Sequence, residues 1–316
     1  MIEQQTVALR KKPNSVATAF KRLSEFKYLY IMLIPGITYF VVFHYIPMYG
    51  VTIAFKDFKI MQGIIDSPWV GLKYFKQAFE SPFFAQTLWN TFIISVYKLL
   101  WGFPAPIILA LLLNEVKNSI FKRTIQTISY LPHFLSWVVI GGILTDMLSP
   151  QTGVVNNIIK MFGGEPIYFM ASKEWFRTVL VASDIWKEVG WGSIIYLAAL
   201  SGIDPQLYEA SQIDGANRWQ QTWHITLPGI RGTIAILLIL RLGNILNAGF
   251  EQIFIMYNSA VYEVSDIIDT WVYRIGLQGM QYSLATAVGL FKSLIGLVLV
   301  VAANWVTHRM GESGIW

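Results

Sequence analysis

Residues 209–215 read Glu-Ala-Ser-Gln-Ile-Asp-Gly, and nine residues later the chain continues with Ile-Thr-Leu-Pro at 225–228. This polar stretch lies between two apolar runs, 176–200 and 230–257. An apolar run of about twenty residues is long enough to cross a bilayer core of about 30 Å as a helix. A polar loop framed by two such runs predicts a helical membrane protein in which this loop stands outside the bilayer.

The composition of the whole chain also indicates a polytopic membrane protein. Its 316 residues have a mean hydropathy of +0.49, and 14% of them are charged, whereas soluble domains carry roughly a quarter. Most basic residues lie near the ends of apolar runs, where they set membrane topology, so no nucleic-acid partner is expected. Because the chain has no cysteine, disulfides and thiolate metal sites are excluded.

The apolar runs predict an all-α fold with six transmembrane helices. The N-terminal tail and the loop at 114–123 are strongly basic, whereas basic residues in the loops on the other side are offset by acidic ones. Since basic loops stay in the cytoplasm, both chain ends and the loop at 201–229 are predicted to be cytoplasmic. The spans are placed at 28–54, 87–113, 124–148, 176–200, 230–257 and 282–307.

This placement divides the chain into three regions. Residues 1–27 form a cytoplasmic tail, residues 28–309 form the transmembrane domain, and residues 310–316 form a second cytoplasmic tail. The first apolar run is too long for the core of a signal peptide, so we expect it to be retained as a span.

The loop at 201–229 predicts two short helices separated by a sharp turn. Asp204 is placed to cap the free N–H groups of a helix over 205–213, which has proline at its first position. Gly215 follows where helices often end in a left-handed residue. A second helix is predicted to begin shortly afterwards and to end before Pro228. The loop is therefore expected to be stiff on both sides of one bend.

This loop resembles the EAA loop of ABC-importer permeases. In that family the loop is cytoplasmic and docks onto a separate ATPase subunit. Ser211 stands in place of the second alanine of the motif, a small residue for a small residue. The matching positions are Glu209, Ala210, Gly215, Ile225, Leu227 and Pro228.

The resemblance covers nearly all of the chain from residue 28. Further segments are similar to permeases of the maltose-type importer superfamily, in the branch that includes permeases for complex oligosaccharides and an alginate importer. The loop motif is specific for importer permeases, whereas the other segments indicate the branch and name no single sugar. These segments are 46–50, 54–58, 243–262, 279–283, 285–291 and 303–305.

The resemblance implies a protein of the bacterial cytoplasmic (inner) membrane that forms half of a pore for oligo- or polysaccharides. Its implied partners are a second permease, two ATPase subunits that bind ATP and Mg, an extracellular or periplasmic solute-binding protein, and membrane lipid. The chain itself is expected to hold no cofactor and to catalyse no reaction. Its sequence has no G-x-x-x-x-G-K-[ST] phosphate loop, so the ATPase must be another polypeptide.

Seven loop residues are predicted to form the ATPase contact. Leu207, Tyr208 and Ser211 share one side of the first loop helix, and Tyr208 is predicted to fill a groove on the partner. Glu209 and Asp214 would supply charge complementarity. The alternative is an amphipathic helix on lipid headgroups, although such helices are usually rich in lysine and arginine. The predicted set is Leu207, Tyr208, Glu209, Ala210, Ser211, Asp214 and Gly215.

Charged residues within spans are costly in lipid and therefore mark candidate pathway positions. Asp184 and Lys187 are three residues apart, so a local ion pair is one interpretation, and it leaves Glu188 without an evident partner. Three cations have no carboxylate within reach in their own span. They could snorkel, pair across helices, or face a cavity that favours anionic sugars such as uronates. These cations are Lys98, Arg241 and Lys292.

Polar and aromatic residues give further pathway candidates. Asn244, Asn247 and Glu251 follow i, i+3, i+7 spacing, so they are predicted to share one face of the fifth span, with interhelical hydrogen bonding as the alternative. Aromatic rings within spans either stack on sugar rings or pack between helices. The aromatic candidates are Trp186, Trp191 and Tyr196.

Two other function classes stay open. A membrane-embedded enzyme would need paired carboxylates or a metal cluster, and Asp266 with Asp269 is the faint candidate, better explained as capping a loop helix near Trp271. The histidines show no metal-ligand spacing. A secondary transporter or channel would depend on an ion gradient instead of ATP. The lack of an internal sequence repeat weighs against transporter folds built from duplicated halves.

Overall fold

The computed structural model describes residues 26–309, and over this range the regular secondary structure is helical. The predicted tail at 310–316, and almost all of the tail at 1–27, lie outside the described residues. The chain divides into two compact units, Met1–Thr52 and Ile53–Trp316.

The first unit contains helix α1 (Lys27–Phe40), which continues through a π-helical turn at Val41–Tyr45 and a short turn at Ile46–Met48. Pro35 lies inside α1 without ending it. Apolar side chains surround this helix on all sides and are exposed. A helix that is apolar all round is typical of a membrane span.

The second unit is built from helices joined mostly by short loops. Two of these helices contain 26 and 28 residues, enough to cross a bilayer core. The helices are α2 (Gly63–Asp66), α3 (Lys73–Glu80), α4 (Pro82–Gly102), α5 (Pro104–Glu115), α6 (Ser119–Tyr130), α7 (Trp137–Met147), α8 (Val154–Met161), α9 (Phe176–Ser201), α10 (Pro205–Ile213), α11 (Arg218–Gln221), α12 (Arg231–Gly243), α13 (Phe250–Met256), α14 (Tyr262–Ser265), α15 (Ile268–Val272) and α16 (Tyr282–Arg309).

Three helical segments within residues 26–309 are long and apolar enough to cross a membrane, or up to five if each of two bent helix pairs is one span. The predicted fourth span corresponds to α9, which is long enough but carries the charges of Arg177, Asp184, Lys187 and Glu188. The all-α membrane fold is confirmed, whereas the number of six spans stays a prediction. The three segments are Lys27–Phe55, Pro82–Glu115 and Tyr282–Arg309.

The predicted third span, 124–148, is broken. After α6 the chain makes a 3-10 turn at Leu131–Phe134, and α7 leaves at an angle of 105°. Pro132 has no N–H to continue the helical pattern. The Ser136 hydroxyl accepts a hydrogen bond from the Val139 N–H at 3.3 Å and caps the new helix. The chain therefore restarts in a new direction at this point.

The predicted fifth span, 230–257, is also interrupted. α12 ends at Gly243, and α13 begins at Phe250. Between them Gly249 adopts a left-handed conformation with a φ of 94°. Because glycine lacks a Cβ, it can occupy this conformation, which keeps the chain non-helical immediately before α13. The break leaves polar backbone and side chains in the middle of a segment that was predicted to be one helix.

Helix α9 packs against α4, α5 and α6. At Gly190 the backbones of α9 and α6 approach so closely that an added Cβ would lie 2.1 Å from the Ser129 carbonyl oxygen, so only glycine fits. Phe176, Leu180 and Ile253 belong to the buried core that joins α9 to α13. Since α9 also leads into the loop at 201–229, one helix connects the broken spans with that loop.

Candidate coupling loop and transport pathway

The loop between α9 and α12 begins with α10, which has the predicted bounds. The Asp204 carboxylate accepts a hydrogen bond from the Gln206 N–H at 2.9 Å. Gly215 has a φ of 80°, as predicted for the end of this helix. The Ala216 N–H donates to the Ser211 carbonyl at 2.9 Å. This pattern, a Schellman motif, satisfies carbonyl groups at the helix end and fixes the turn.

The second loop helix starts with a reciprocal cap. The Asn217 side chain accepts a hydrogen bond from the Gln220 N–H at 2.9 Å, and the Gln220 side chain accepts one from the Asn217 N–H at 2.8 Å. The predicted end before Pro228 is wrong. The chain continues through a π-helical turn to Gly229 because Pro228 falls at the start of a new turn, where no N–H is needed. It then bends by 61° into α12.

Side chains join the two loop helices. The Tyr208 hydroxyl lies 3.0 Å from the Thr226 hydroxyl, and the Gln221 side chain donates to the Ser211 hydroxyl at 3.0 Å. Tyr208 and Ser211 therefore face the second helix. The predicted contact of Tyr208 with a groove on a partner stays a prediction, while its hydroxyl is bound within the chain. The loop is a single stiff unit held together by its own contacts.

The exposed surface of the loop is carried by other residues. Leu207 is exposed, and Ile213 is 88% exposed. Trp219 and Trp223 are exposed as well, with ring centroids 5.9 Å apart in an edge-to-face arrangement. Sequence reasoning missed these tryptophans, although their i, i+4 spacing on one helix signals a shared face. The other predicted contact residues, Glu209, Ala210, Asp214 and Gly215, are also exposed.

Charged residues of three helices meet beside the break of the fifth predicted span. Lys98 of α4 donates to Asp184 of α9 at 3.0 Å and to the Gln252 side chain of α13 at 2.5 Å. Arg241 of α12 lies 3.7 Å from the same Asp184 carboxylate. The local pair of Asp184 with Lys187 is therefore wrong, because Asp184 pairs with cations that are distant in the chain. The contact of Gln252 with Lys98 was not predicted, because no sequence spacing indicates it.

Lys187 stabilises the bend between α6 and α7. Its ammonium donates to the carbonyl groups of His133 at 2.7 Å and Leu135 at 2.5 Å. Glu188, which was predicted to lack a partner, lies 2.9 Å from the His133 ring. The same ring stacks on Trp191 with centroids 4.5 Å apart. The bonds from Lys187 satisfy backbone carbonyls that the broken helix cannot pair by itself.

Lys292 of α16 also pairs across helices, since it donates to both carboxylate oxygens of Asp269 at 2.6 Å. The predicted cavity lined by three unpaired cations is therefore wrong, because each of the three lies near a carboxylate. Asp269 balances Lys292, whereas Lys98 and Arg241 share the single carboxylate of Asp184. In that second cluster two cations therefore pair directly with one carboxylate.

Two cavities open beside the break between α12 and α13. Their volumes are about 130 Å³ and about 640 Å³, and Asn247 lines both. Because α12 ends at Gly243, the predicted common face of Asn244, Asn247 and Glu251 does not form: the two asparagines line the smaller cavity, and Glu251 is exposed. The smaller cavity is lined by Ser95, Lys98, Leu99, Arg241, Asn244, Ile245 and Asn247.

The aromatic candidates have different surroundings. Tyr196 is only 3% exposed and packs with Leu200 and Ile230 in the core, which gives it a packing role. Trp186 is exposed. The larger cavity is lined by aromatic residues that sequence reasoning missed because they come together only in the folded chain. These residues are Phe250, Tyr273 and Tyr282.

The carboxylates of the segment at 258–281 belong to separate ion pairs. Arg274 donates to both oxygens of Asp266 at 3.0 and 2.5 Å, and this hydrogen bonding raises the pKa of Arg274. Asp266 also accepts from the Thr270 hydroxyl at 2.7 Å, while Asp269 binds Lys292. Neither carboxylate is therefore poised for acid–base catalysis with the other. Within residues 26–309, no cluster of three or more metal-ligating side chains occurs.

A helical membrane protein with a stiff loop outside the apolar segments, and with cavities between its helices, has the parts of a transporter subunit. The chain belongs to the family of binding-protein-dependent transport system inner membrane components, which it matches over residues 102–312. It is a permease, the membrane pore component of an ABC transporter.

Individual relatives agree with this assignment. The chain is 47% identical to Protein LplB of Bacillus subtilis (strain 168), over 97% of this chain and 98% of the relative. It is 48% identical to the polygalacturonan/rhamnogalacturonan transport system permease protein YteP of the same organism, over 93% and 92%. A crystal structure of a bacterial alginate ABC transporter, in complex with an alginate pentasaccharide-bound periplasmic protein, contains a similar chain with a TM-score of 0.87, 44% identity and coverage of 94% and 99%. The predicted resemblance to the oligosaccharide branch of importer permeases is confirmed.

Proposed function

We propose that this chain is the permease subunit through which an ATP-driven importer carries acidic, uronate-containing oligosaccharides. Two relatives support this substrate class, since polygalacturonan/rhamnogalacturonan and alginate, which appear in their names, are polymers that contain uronates. The observation that carries the proposal is the larger cavity beside the break of the fifth predicted span.

This cavity has the properties of a carbohydrate site. Its volume of about 640 Å³ falls within the range of roughly 300–1,000 Å³ that is usual for ligand pockets. The rings of Phe250, Tyr273 and Tyr282 offer faces for the C–H groups of sugar rings. Asn247 and the Asp269–Lys292 pair offer hydrogen bonds to sugar hydroxyls. Apolar walls with a few polar groups would hold a sugar while letting it leave again.

The loop at 201–229 is the proposed ATPase contact. Its exposed residues Leu207, Glu209, Ile213 and Asp214 would meet the ATPase, while Tyr208 and Ser211 keep its two helices together. ATP and Mg would be bound by the ATPase subunits, and this chain would supply no catalytic group. A ligand shifts a conformational equilibrium only by its differential affinity, so the ATPases must bind the inward and outward states unequally.

The complete importer would contain a second permease, two ATPases and a solute-binding protein. In the proposed topology six spans cross the bacterial cytoplasmic membrane, and both chain ends are cytoplasmic. The segments at 55–86 and 258–281 then face outward, where the binding protein would deliver the sugar. The large apolar surface of α1 and α16 would contact lipid or the second permease.

Gentle detergent extraction of the tagged chain, with mass spectrometry of what co-purifies, tests this assembly. Gly215→Pro should abolish recovery of the ATPase, because proline fixes φ near −65° and removes an N–H that donates to the Gln212 carbonyl at 3.1 Å. Gly163→Pro is a matched control, since Gly163 also has a positive φ and donates to the carbonyl three residues before it. An ATPase that co-purifies equally with both variants would contradict the coupling role. Uptake driven by an ion gradient in the absence of ATP would contradict the importer.

A further inference from the structure

The smaller cavity contains a buried hydroxyl with no partner. Ser95 is 5% exposed, and its Oγ has no hydrogen-bond partner among residues 26–309. Leaving a buried polar group unpaired costs about 1–3 kcal/mol. The cavity is otherwise lined mainly by polar side chains, and its volume is about 130 Å³. A water molecule occupies about 30 Å³ in the liquid, so the space fits a few waters or one small polar group.

The two cations that line this cavity are held with different tightness. Lys98 is bound tightly, by Asp184 at 3.0 Å and by Gln252 at 2.5 Å. Arg241 lies 3.7 Å from Asp184, which is longer than a hydrogen bond, and its side chain is 48% exposed. The next carboxylate, that of Glu188, is held by His133 at 2.9 Å. Two cations thus share one carboxylate, and the guanidinium of Arg241 keeps donors for an anion.

We propose that the smaller cavity binds the carboxylate of a uronate residue, with the Arg241 guanidinium and the Ser95 hydroxyl as donors. This inference rests on the proposed function and adds the residues that select the charge. Guanidinium groups bind carboxylates through two parallel hydrogen bonds. The bound carboxylate would give the Arg241 guanidinium a close partner, and a loosely paired charge is costly inside a membrane.

The arrangement of the two cavities fits one sugar residue. Asn247 lines both, so a sugar ring in the larger, aromatic cavity lies next to the smaller, polar one. The ring would stack in the first while its carboxylate enters the second. A neutral sugar would leave Ser95 without a partner and Arg241 with only its distant contact to Asp184. Sites built to hydrogen-bond one group discriminate strongly against analogues that lack it.

The test measures ATP-driven uptake by the complete importer in proteoliposomes. The probes are galacturonate and alginate oligomers, each compared with its carboxyl-reduced, neutral form. The charged-to-neutral uptake ratio is then compared between wild type and variants, so that any preference of the solute-binding protein cancels. Arg241→Gln should lower this ratio about tenfold, the loss expected for a charge-assisted hydrogen bond. Ser95→Ala should lower it about threefold, as for a neutral hydrogen bond.

Two further variants distinguish loss of the carboxylate site from a general structural defect. Arg241→Lys keeps the charge and should retain part of the preference, although without the bidentate geometry. Arg123→Gln makes the same chemical change at an exposed position and should leave the ratio unchanged. If wild type imports neither charged oligomer, both the proposed function and the proposed carboxylate site are wrong. If wild type imports one of them and Arg241→Gln lowers both uptakes equally, the carboxylate site is wrong while the function stands.

Discussion

The loop at 201–229 and the break of the fifth predicted span both contain polar groups that the end of a helix leaves unpaired. The two regions differ in how far away in the sequence the partners of these groups lie. In the loop the partners are neighbours in sequence, as in the cap of Gln206 by Asp204. At the break the partners are far apart, since Lys98 binds Asp184, 86 residues away, and Gln252, 154 residues away.

This difference indicates which region is self-contained. The loop holds its own shape through local caps and the Tyr208–Thr226 contact, so it can move as one piece. The break depends on α4, α9, α12 and α13 being correctly assembled. We therefore expect substitutions at the break to destabilise the whole subunit, and substitutions in the loop to act mainly on coupling.

The largest effect is expected for Asp184→Asn. This change leaves the buried ammonium of Lys98 beside Arg241 without a carboxylate. Removing one partner of a buried ion pair costs about 3–5 kcal/mol. The free energy of unfolding, measured for the purified subunit in mixed micelles, should fall by that amount.

Asp66→Asn is the control for this experiment, because Asp66 is exposed and should tolerate the change within about 0.5 kcal/mol. The double variant Lys98→Met with Asp184→Asn should lose less stability than the two single variants together, since it leaves no buried Lys98 charge unpaired. Equal losses for Asp184→Asn and Asp66→Asn would mean that the cross-helix cluster contributes nothing.

A smaller loss is expected for Lys187→Met, which removes the ammonium that binds the carbonyls of His133 and Leu135. Hydrogen bonds from a charged donor contribute about 1.5–3 kcal/mol, so the subunit should lose stability within that range. Lys76→Met is the matched control, because Lys76 forms an exposed pair with Glu80 that is worth little. Hydrogen exchange at residues 131–136 should rise in the first variant and stay unchanged in the second. Protection that persists in Lys187→Met would show that the bend holds without it.

The contrast between local and distant partners also explains which features of the fold could be predicted from the sequence. The bounds of α10, the cap at Asp204 and the left-handed Gly215 follow from residues within one turn of each other, and all were predicted correctly. The contact of Tyr208 with Thr226 was not predicted. Helical spacing indicates which side of α10 carries Tyr208. It does not show that the second loop helix packs against that side.

The partners of the charged residues within the predicted spans could not be predicted from their spacing in the sequence. Asp184 and Lys187 are three residues apart, yet each binds a group from another helix. The interruption at residues 244–249 was missed for a related reason. An apolar stretch with two asparagines resembles a continuous helix, and the sequence does not show that Lys98 of α4 lies where a Cβ of residue 249 would be. Local chemistry therefore predicts the structure of the loop at 201–229, whereas tertiary packing determines the contacts at the break.

Within the loop, the larger effect is expected for Gly215→Ala. The φ of 80° at this position costs an L-residue about 1–2 kcal/mol, although a Cβ would meet nothing within 4 Å. Gly142→Ala is the control, since Gly142 has equal space in a helical conformation, and alanine should be neutral or stabilising there. ATP hydrolysed per sugar imported should rise in Gly215→Ala only. Identical ratios in the two variants would argue against a need for the left-handed turn.

The smallest effect is expected for Tyr208→Phe, and it separates stiffness of the loop from its surface chemistry. The change removes the hydroxyl that lies 3.0 Å from Thr226 and leaves the exposed residues Leu207 and Ile213 in place. One neutral hydrogen bond contributes about 0.5–1.5 kcal/mol, so hydrogen exchange across α10 should increase up to about tenfold. Tyr168→Phe, at an exposed tyrosine outside the loop, should change nothing. If the ATPase still co-purifies while uptake per ATP falls, the Tyr208 hydroxyl acts by keeping the loop rigid. If the ATPase is lost, Tyr208 belongs to the docking surface.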